Sequence, residues 1–175
     1  MRPEASAPGL AGVVGDTILP RTPKAHMSLT VHPLDQAHRH AWQPLAEAYK
    51  AFYRTPTTPE EYDRAWSRLM AAQDVRGLGA SVEGRLVGIA HFLYHGSAWA
   101  DRVCYLQDLY TAPEARGQGV GKALIGAVAA QAREAGAARY YWLTQEANAV
   151  ARVLYEKVAQ YNGFIRYDCP LSSGA

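Results

Sequence analysis

Leu109-Tyr110-Thr111-Ala112-Pro113-Glu114-Ala115-Arg116-Gly117-Gln118-Gly119-Val120-Gly121-Lys122 is the stretch that decides the fold. A strand-like run leads into it, three alternate glycines occupy it, and a helix-spaced apolar pattern leads out. The N–H groups of a helix's first turn have no intrahelical partner, and the positive end of the helix dipole adds to them. Such a junction suits a phosphate. Glycines let the anion approach the backbone, and Arg116 and Lys122 add positive charge at the rim. Two known phosphate loops fail here. A P-loop needs G-x-x-x-x-G-K-[ST], yet Ala123 follows Gly121-Lys122 and Arg116 stands where the first glycine belongs. The dinucleotide pattern G-x-G-x-x-G would place its third glycine at Lys122. What fits is R-x-x-G-x-G, or a plain glycine-rich helix cap with no ligand.

Outward from this loop, hydrophobic periodicity predicts the order β-α-α-β-β-β-α-β-α-β. Leu29–His32 is a short strand. A helix from about Ala41 to Tyr53 carries Trp42, Leu45, Tyr49, Phe52 and Tyr53 on one face, with Pro44 in its first turn. Thr58-Pro59-Glu60-Glu61 opens a second helix with a capping Thr, Pro at the first position and Glu at the third. Gly77–Val82 and Leu86–His95 form a hairpin around Glu83-Gly84-Arg85. Val103–Tyr110, Arg139–Thr144 and Phe164–Tyr167 are strands. Gly119–Ala135 and the Val150, Leu154, Val158, Tyr161 series are helices, ended by Gly136 and Gly163. Antiparallel strands followed by β-α-β units predict a mixed sheet with helices on both faces.

The 175 residues suit one domain plus a tail. Residues 1–26 hold four of the 10 prolines, and their apolar stretch is broken by glycines and Asp16, unlike a secretory signal. Either they are a flexible extension, or Met27 is the natural start and they are not native; 27–175 is then the single domain. At 49% apolar and 19% charged the composition is globular. A net charge of +2 argues against nucleic acid or an anionic membrane as main partner. No apolar run approaches the ~20 residues of a membrane span. Two cysteines, Cys104 and Cys169, fit a reducing, cytoplasmic setting rather than a disulfide scaffold.

With these residues in view, the chain resembles the GNAT superfamily of acetyl-CoA-dependent N-acetyltransferases. Arg116-Gly117-Gln118-Gly119-Val120-Gly121 looks like the superfamily's pyrophosphate motif. Some 30 residues later comes Asn148…Leu154-Tyr155-Glu156-Lys157, followed by Gly163-Phe164. The resemblance covers most of 29–168. Tyr105-Leu106-Gln107-Asp108-Leu109-Tyr110 and Tyr141-Trp142-Leu143-Thr144 further resemble the diamine/polyamine and fungal histone/polyamine types. It implies an α/β (α+β) GNAT fold with a mixed, mostly antiparallel sheet of about six strands. It also implies acetyl-CoA as cosubstrate, with no metal. Backbone groups of Leu109, Tyr110 and Thr111 would pair with the pantetheine arm, and the Leu109 N–H would face the thioester oxygen. N–H groups from Arg116 through Gly117, Gln118, Gly119, Val120 and Gly121 to Lys122 would hold the pyrophosphate. Asn148 would contact the arm, and Tyr155 would be the general acid. Two helical turns, about 10 Å, separate Asn148 from Tyr155 on one face. A phenol of pKa ~10 can protonate a thiolate whose thiol sits near ~8.5.

The match departs from the polyamine types at the proton acceptor. Their usual candidate base is a Glu preceding the strand Asp, and here Gln107 stands there. Asp108 points to the opposite face unless the strand bulges. Three readings stand: Asp108 as base through a bulge, a base elsewhere with proton transfer through water, or an amine that arrives partly neutral. The favoured one is a water relay involving Asp108. His38 with His40, and His91 with His95, lack a third metal ligand. His91, Tyr53 and Thr144 are instead expected to line the acceptor pocket. Only Phe164–Tyr167 remains for strands after the Tyr155 helix, which leaves a sheet edge suited to a homodimer contact. The expected activity is direct transfer of acetyl to a primary amine of a small molecule (polyamine, amino acid or similar). The alternatives are a protein lysine or N-terminal acetyltransferase and a CoA-binding regulatory module without turnover.

Overall fold

A computed structural model describes residues 28–171, so the 1–26 extension lies outside the described residues. Five strands form one sheet in chain order: β1 (Leu29–Pro33), β2 (Val75–Val82), β3 (Arg85–Ser97), β4 (Ala100–Thr111) and β5 (Arg139–Trp142). The first four pair antiparallel, and β5 runs parallel to β4. Helices α1 (Arg39–Phe52) and α2 (Pro59–Ala71) precede β2, α3 (Val120–Glu134) links β4 to β5, and α4 (Ala149–Val158) follows β5.

Strand alternation separates the two faces. On β3, His91 turns to α1 and meets Trp42, whereas Gly88 lies against α3. A Cβ at Gly88 would sit 2.6 Å from Val120 Cγ1 and 3.1 Å from Leu124 Cδ1. Only glycine lets the N-terminal turn of α3 approach the sheet this closely, and that approach aims the glycine loop. The core fills both faces: Trp42, Trp66 and Leu69 on the α1/α2 side, Val120, Leu124 and Val128 from α3. The expected cap of α2 forms in full. The Glu61 N–H donates to Thr58 Oγ1 and the Thr58 N–H donates to Glu61 Oε2.

Three expectations need correction. First, α1 begins at Arg39, so Pro44 sits within the helix rather than in its first turn. A preceding 3-10 turn, capped by Asp35, supplies the earlier start. Second, β5 stops at Trp142 instead of Thr144, because β4 pairs with it only through Leu106. Third, the described residues form five strands, one fewer than the approximate six expected. Phe164–Tyr167 forms no strand, and Phe164, Ile165 and Tyr167 are 84%, 68% and 86% exposed. High β-propensity marks a segment able to pair, and within a single chain this one finds no partner row. Among the described residues, β5 ends the sheet and its outer edge has no partner strand.

Candidate active site

The site begins at the loop between β4 and α3. Gly117 and Gly119 adopt positive φ, 76° and 84°, and a Cβ on either would meet no atom. They therefore border open space at the head of α3. Among the described residues, no backbone carbonyl accepts from the N–H groups of Gly117 through Lys122. That run of free donors, with the helix dipole behind it, is what a diphosphate requires. The expected run is shortened by one: the Arg116 N–H donates to the Pro113 carbonyl at 3.3 Å. The Arg116 side chain is exposed at the loop, and its Nε donates to the Thr111 carbonyl at 3.2 Å, which ties the loop to the end of β4. Gly121 has a packing role, since a Cβ there would lie 3.1 Å from Leu154 Cδ2 on α4.

From the loop, an open edge runs back along β4. β5 pairs with Val103–Leu106 and then departs, leaving residues 107–111 without a neighbour on that side. The Ala112 N–H donates to the Val87 carbonyl of β3 at 2.8 Å. Antiparallel alternation then directs the backbone of Tyr110 at β3, and the N–H and C=O of Leu109 and Thr111 at the open edge. The expected three-residue backbone pairing is thus reduced to Leu109 and Thr111. Across the gap stands α4. At its start, the Asn148 side chain donates to Thr144 Oγ1 at 3.0 Å. Further along, the half-buried Tyr155 packs its ring on Trp142, 5.4 Å between centroids. Burial, with a smaller contribution from nearby Tyr53, pushes the Tyr155 phenol up to about 12. At neutral pH it carries its proton and can donate it.

Beyond the edge lies a side-chain pocket on the α1 face. β4 bulges at Gln107: His91 pairs with Asp108 but Phe92 pairs with Leu106. The extra residue leaves Gln107 exposed and turns Asp108 onto the α1 face. There the Asp108 Oδ2 lies 2.9 Å from His91 Nδ1, and Tyr49 of α1 approaches the same carboxylate. Burial alone would raise the Asp108 carboxyl. The interactions with His91 and Tyr49 outweigh burial and hold it below the usual carboxylate range. Tyr49 itself is pushed far above an ordinary phenol, by burial first and by Asp108 second. Tyr105, stacked on Tyr141 at 5.0 Å between centroids, and Tyr53 complete an aromatic wall around one ionised carboxylate.

Sequence reasoning therefore named Asp108, His91 and Tyr53 but assigned Tyr49 and Trp42 to the core stripe and gave Tyr105 no role. Their spacing is that of any amphipathic helix or strand, and only the bulge reveals what they face. A separate groove lined by Lys122, Tyr140, Trp142 and Val158 lies between α3, β5 and α4, away from Asp108. Among the described residues, no group of three His, Cys, Asp or Glu is arranged to hold a metal.

Residues 42–160 match the family described as "Acetyltransferase (GNAT) family". The D-amino-acid N-acetyltransferase HPA3 of Saccharomyces cerevisiae is 33% identical over 144 residues, which span 79% of this chain and 89% of that protein. The thialysine N-epsilon-acetyltransferase of Sus scrofa is 38% identical over 69 residues, 39% of each chain. The crystal structure of a ribosomal-protein-alanine N-acetyltransferase from Brucella melitensis biovar Abortus 2308 superimposes with a TM-score of 0.71 at 25% identity, over 82% of this chain and 100% of that one.

Proposed function

The chain belongs to the GNAT family of acetyl-CoA-dependent N-acetyltransferases, and from that premise we propose that it acetylates the primary amine of a small molecule by direct attack in a ternary complex. The observation that carries the reading is the continuity of three parts. Free loop N–H groups lead to the open edge of β4, that edge carries the ionised Asp108, and Tyr53 lies near both Tyr155 and the Tyr49 and Tyr105 rings around Asp108.

The fit to the cosubstrate rests on the unpartnered donors of Gly117 to Lys122 and the open space at Gly117 and Gly119. Those N–H groups would hold the pyrophosphate, Leu109 and Thr111 the pantetheine arm, and Asn148 its far side. Acetyl-CoA supplies an acyl group already activated as a thioester. The Leu109 N–H faces the edge where its carbonyl oxygen would lie, and a donor so placed stabilises charge that develops there. Tyr155 gives its proton to the departing sulfur. Asp108 draws in the acceptor as an ammonium. With its affinity for protons lowered, it orients the amine while water carries the proton away. Neither cysteine serves as a covalent relay: Cys104 is buried with its thiol pushed up to about 11 by burial, and Cys169 lies near the chain end.

An anion within a tyrosine wall favours a compact cationic acceptor such as an amino acid or polyamine. The names of the relatives, a D-amino-acid and a thialysine N-acetyltransferase, point the same way. The deciding experiment is thiol release from acetyl-CoA across amino acids of both hands, polyamines and a lysine peptide. Turnover is expected on at least one small amine at a kcat/KM above that of the peptide. A preference for the peptide would favour a protein acetyltransferase, and CoA binding with no release on any amine would leave a regulatory module.

The same reading places the protein in the cytoplasm, with its two thiols free; no helix among the described residues is long and apolar enough to cross a membrane. It also makes the protein a homodimer, with the exposed Phe164–Tyr167 segment and the open β5 edge at the contact. Sedimentation equilibrium should give twice the chain mass, and a monomer at micromolar concentration would remove that part of the proposal.

A further inference from the structure

We propose that Trp42 and His91 are a buried positioning pair: the Trp42 indole fixes which nitrogen of His91 presents its N–H to Asp108, and the imidazole fixes the orientation of that carboxylate for a cationic acceptor. The inference rests on the reading of Asp108 as the acceptor's anchor and adds the device that orients it.

An indole nitrogen can only donate. Trp42 Nε1 lies 2.9 Å from His91 Nε2 in a buried contact, so Nε2 must be the nitrogen with the lone pair. The single imidazole proton then belongs on Nδ1, 2.9 Å from Asp108 Oδ2, and is donated to it. The other tautomer, with its proton on Nε2, would place an N–H opposite the indole N–H and a lone pair opposite the carboxylate, where water does not reach. Trp42 is 1% exposed and His91 7%. The indole therefore selects the ring that donates to Asp108, and that donation holds the carboxylate in one orientation.

Arg39 of α1 stacks 5.3 Å over the Trp42 ring, and its guanidinium is bonded to Asp63 at 2.6 Å. Tyr62 of α2 meets Trp42 edge-on. Tyr49 and Lys50 of α1 act on the Asp108 carboxylate, and that carboxylate acts on Tyr105 of β4. On β2 the residue opposite His91 is Gly77.

The test compares wild type with Trp42→Phe, Asp108→Asn and the double variant Trp42→Phe/His91→Asn. In wild type, ¹⁵N NMR of the imidazole should show the Nδ1–H tautomer. Phenylalanine lacks the donor, so in Trp42→Phe the ring is no longer held to that tautomer, and acceptor kcat/KM falls about tenfold. Acetyl-CoA affinity stays as it was. Asparagine presents a donor near the Nδ1 position, so the double variant recovers activity relative to Trp42→Phe. Should Trp42→Phe fold poorly, the wild-type spectrum decides alone: an Nε2–H tautomer overturns the proposal. An unaltered acceptor kcat/KM in a folded Trp42→Phe overturns it as well. Failure of the anchor reading is distinguishable, because Asp108→Asn would then leave acceptor kcat/KM unchanged while the imidazole spectrum still shows the locked tautomer.

Discussion

The two sides of the active site are built from different material. On the α3 side the groups proposed to recognise the cosubstrate are backbone: free N–H groups from Gly117 to Lys122, the N–H and C=O of Leu109, and the N–H of Thr111 along an unpaired edge. On the α1 side those proposed for the acceptor are side chains: Asp108, His91, Trp42 and Tyr49, brought together by three elements and one bulge. A cosubstrate that never changes can be read by main chain, which depends on glycine placement and helix geometry more than on side-chain identity. An acceptor that defines the particular enzyme has to be read by side chains. The difference teaches that damage on one side should spare the other, and variants on each side can break or sharpen that division.

Gly119→Glu should have the largest effect. A carboxylate would enter the space meant for the pyrophosphate, from a position whose φ of 84° also disfavours a side chain. Isothermal titration should show no measurable CoA binding; retained affinity would discredit the loop. Tyr155→Phe comes next, with kcat lowered by roughly 10²–10⁴-fold and CoA affinity kept. Because burial holds the Tyr155 phenol up at about 12, its loss of a proton should produce no alkaline fall in wild-type rate anywhere below that value. A fall near ~10, the value of an ordinary phenol, would contradict its burial. Gly88→Ala should act most weakly and through packing. Forcing a methyl against Val120 should cost about 1–3 kcal/mol in a denaturant melt. Since that contact seats α3, the variant should weaken CoA more than the acceptor; the reverse would undo the assignment of sides.

The same division explains what could be read in advance. The glycine loop, the capped start at Thr58 and the Asn148–Tyr155 stripe are local signals, carried by neighbouring residues in the sequence. They gave most of the order of elements, and the loop and helix on which the proposed cosubstrate side rests. The bulge at Gln107 is set by pairing with β3, and the Trp42–His91 bond joins residues far apart in the chain. Nothing in the spacing of Trp42 or Tyr49 separates a core residue from a site residue. At Arg116 the charge was visible, but the Thr111 carbonyl that takes its Nε–H was not. Phe164–Tyr167 misled, since a strand pattern says nothing about whether a partner strand is within reach.

The most direct test of the division is Asp108→Asn, measured for acetyl-CoA affinity and for acceptor kcat/KM as a function of pH. A hydrogen bond to a charged group is worth about 1.5–3 kcal/mol, so kcat/KM for the acceptor should fall roughly 10- to 150-fold. CoA affinity should not move. The acidic limb of the profile should survive, because it belongs to the acceptor's ammonium and not to a carboxylate held below its usual range. Loss of CoA affinity, or disappearance of that limb, would contradict the account: the first would show that the two sides are not separate, the second that Asp108 is itself the titrating base.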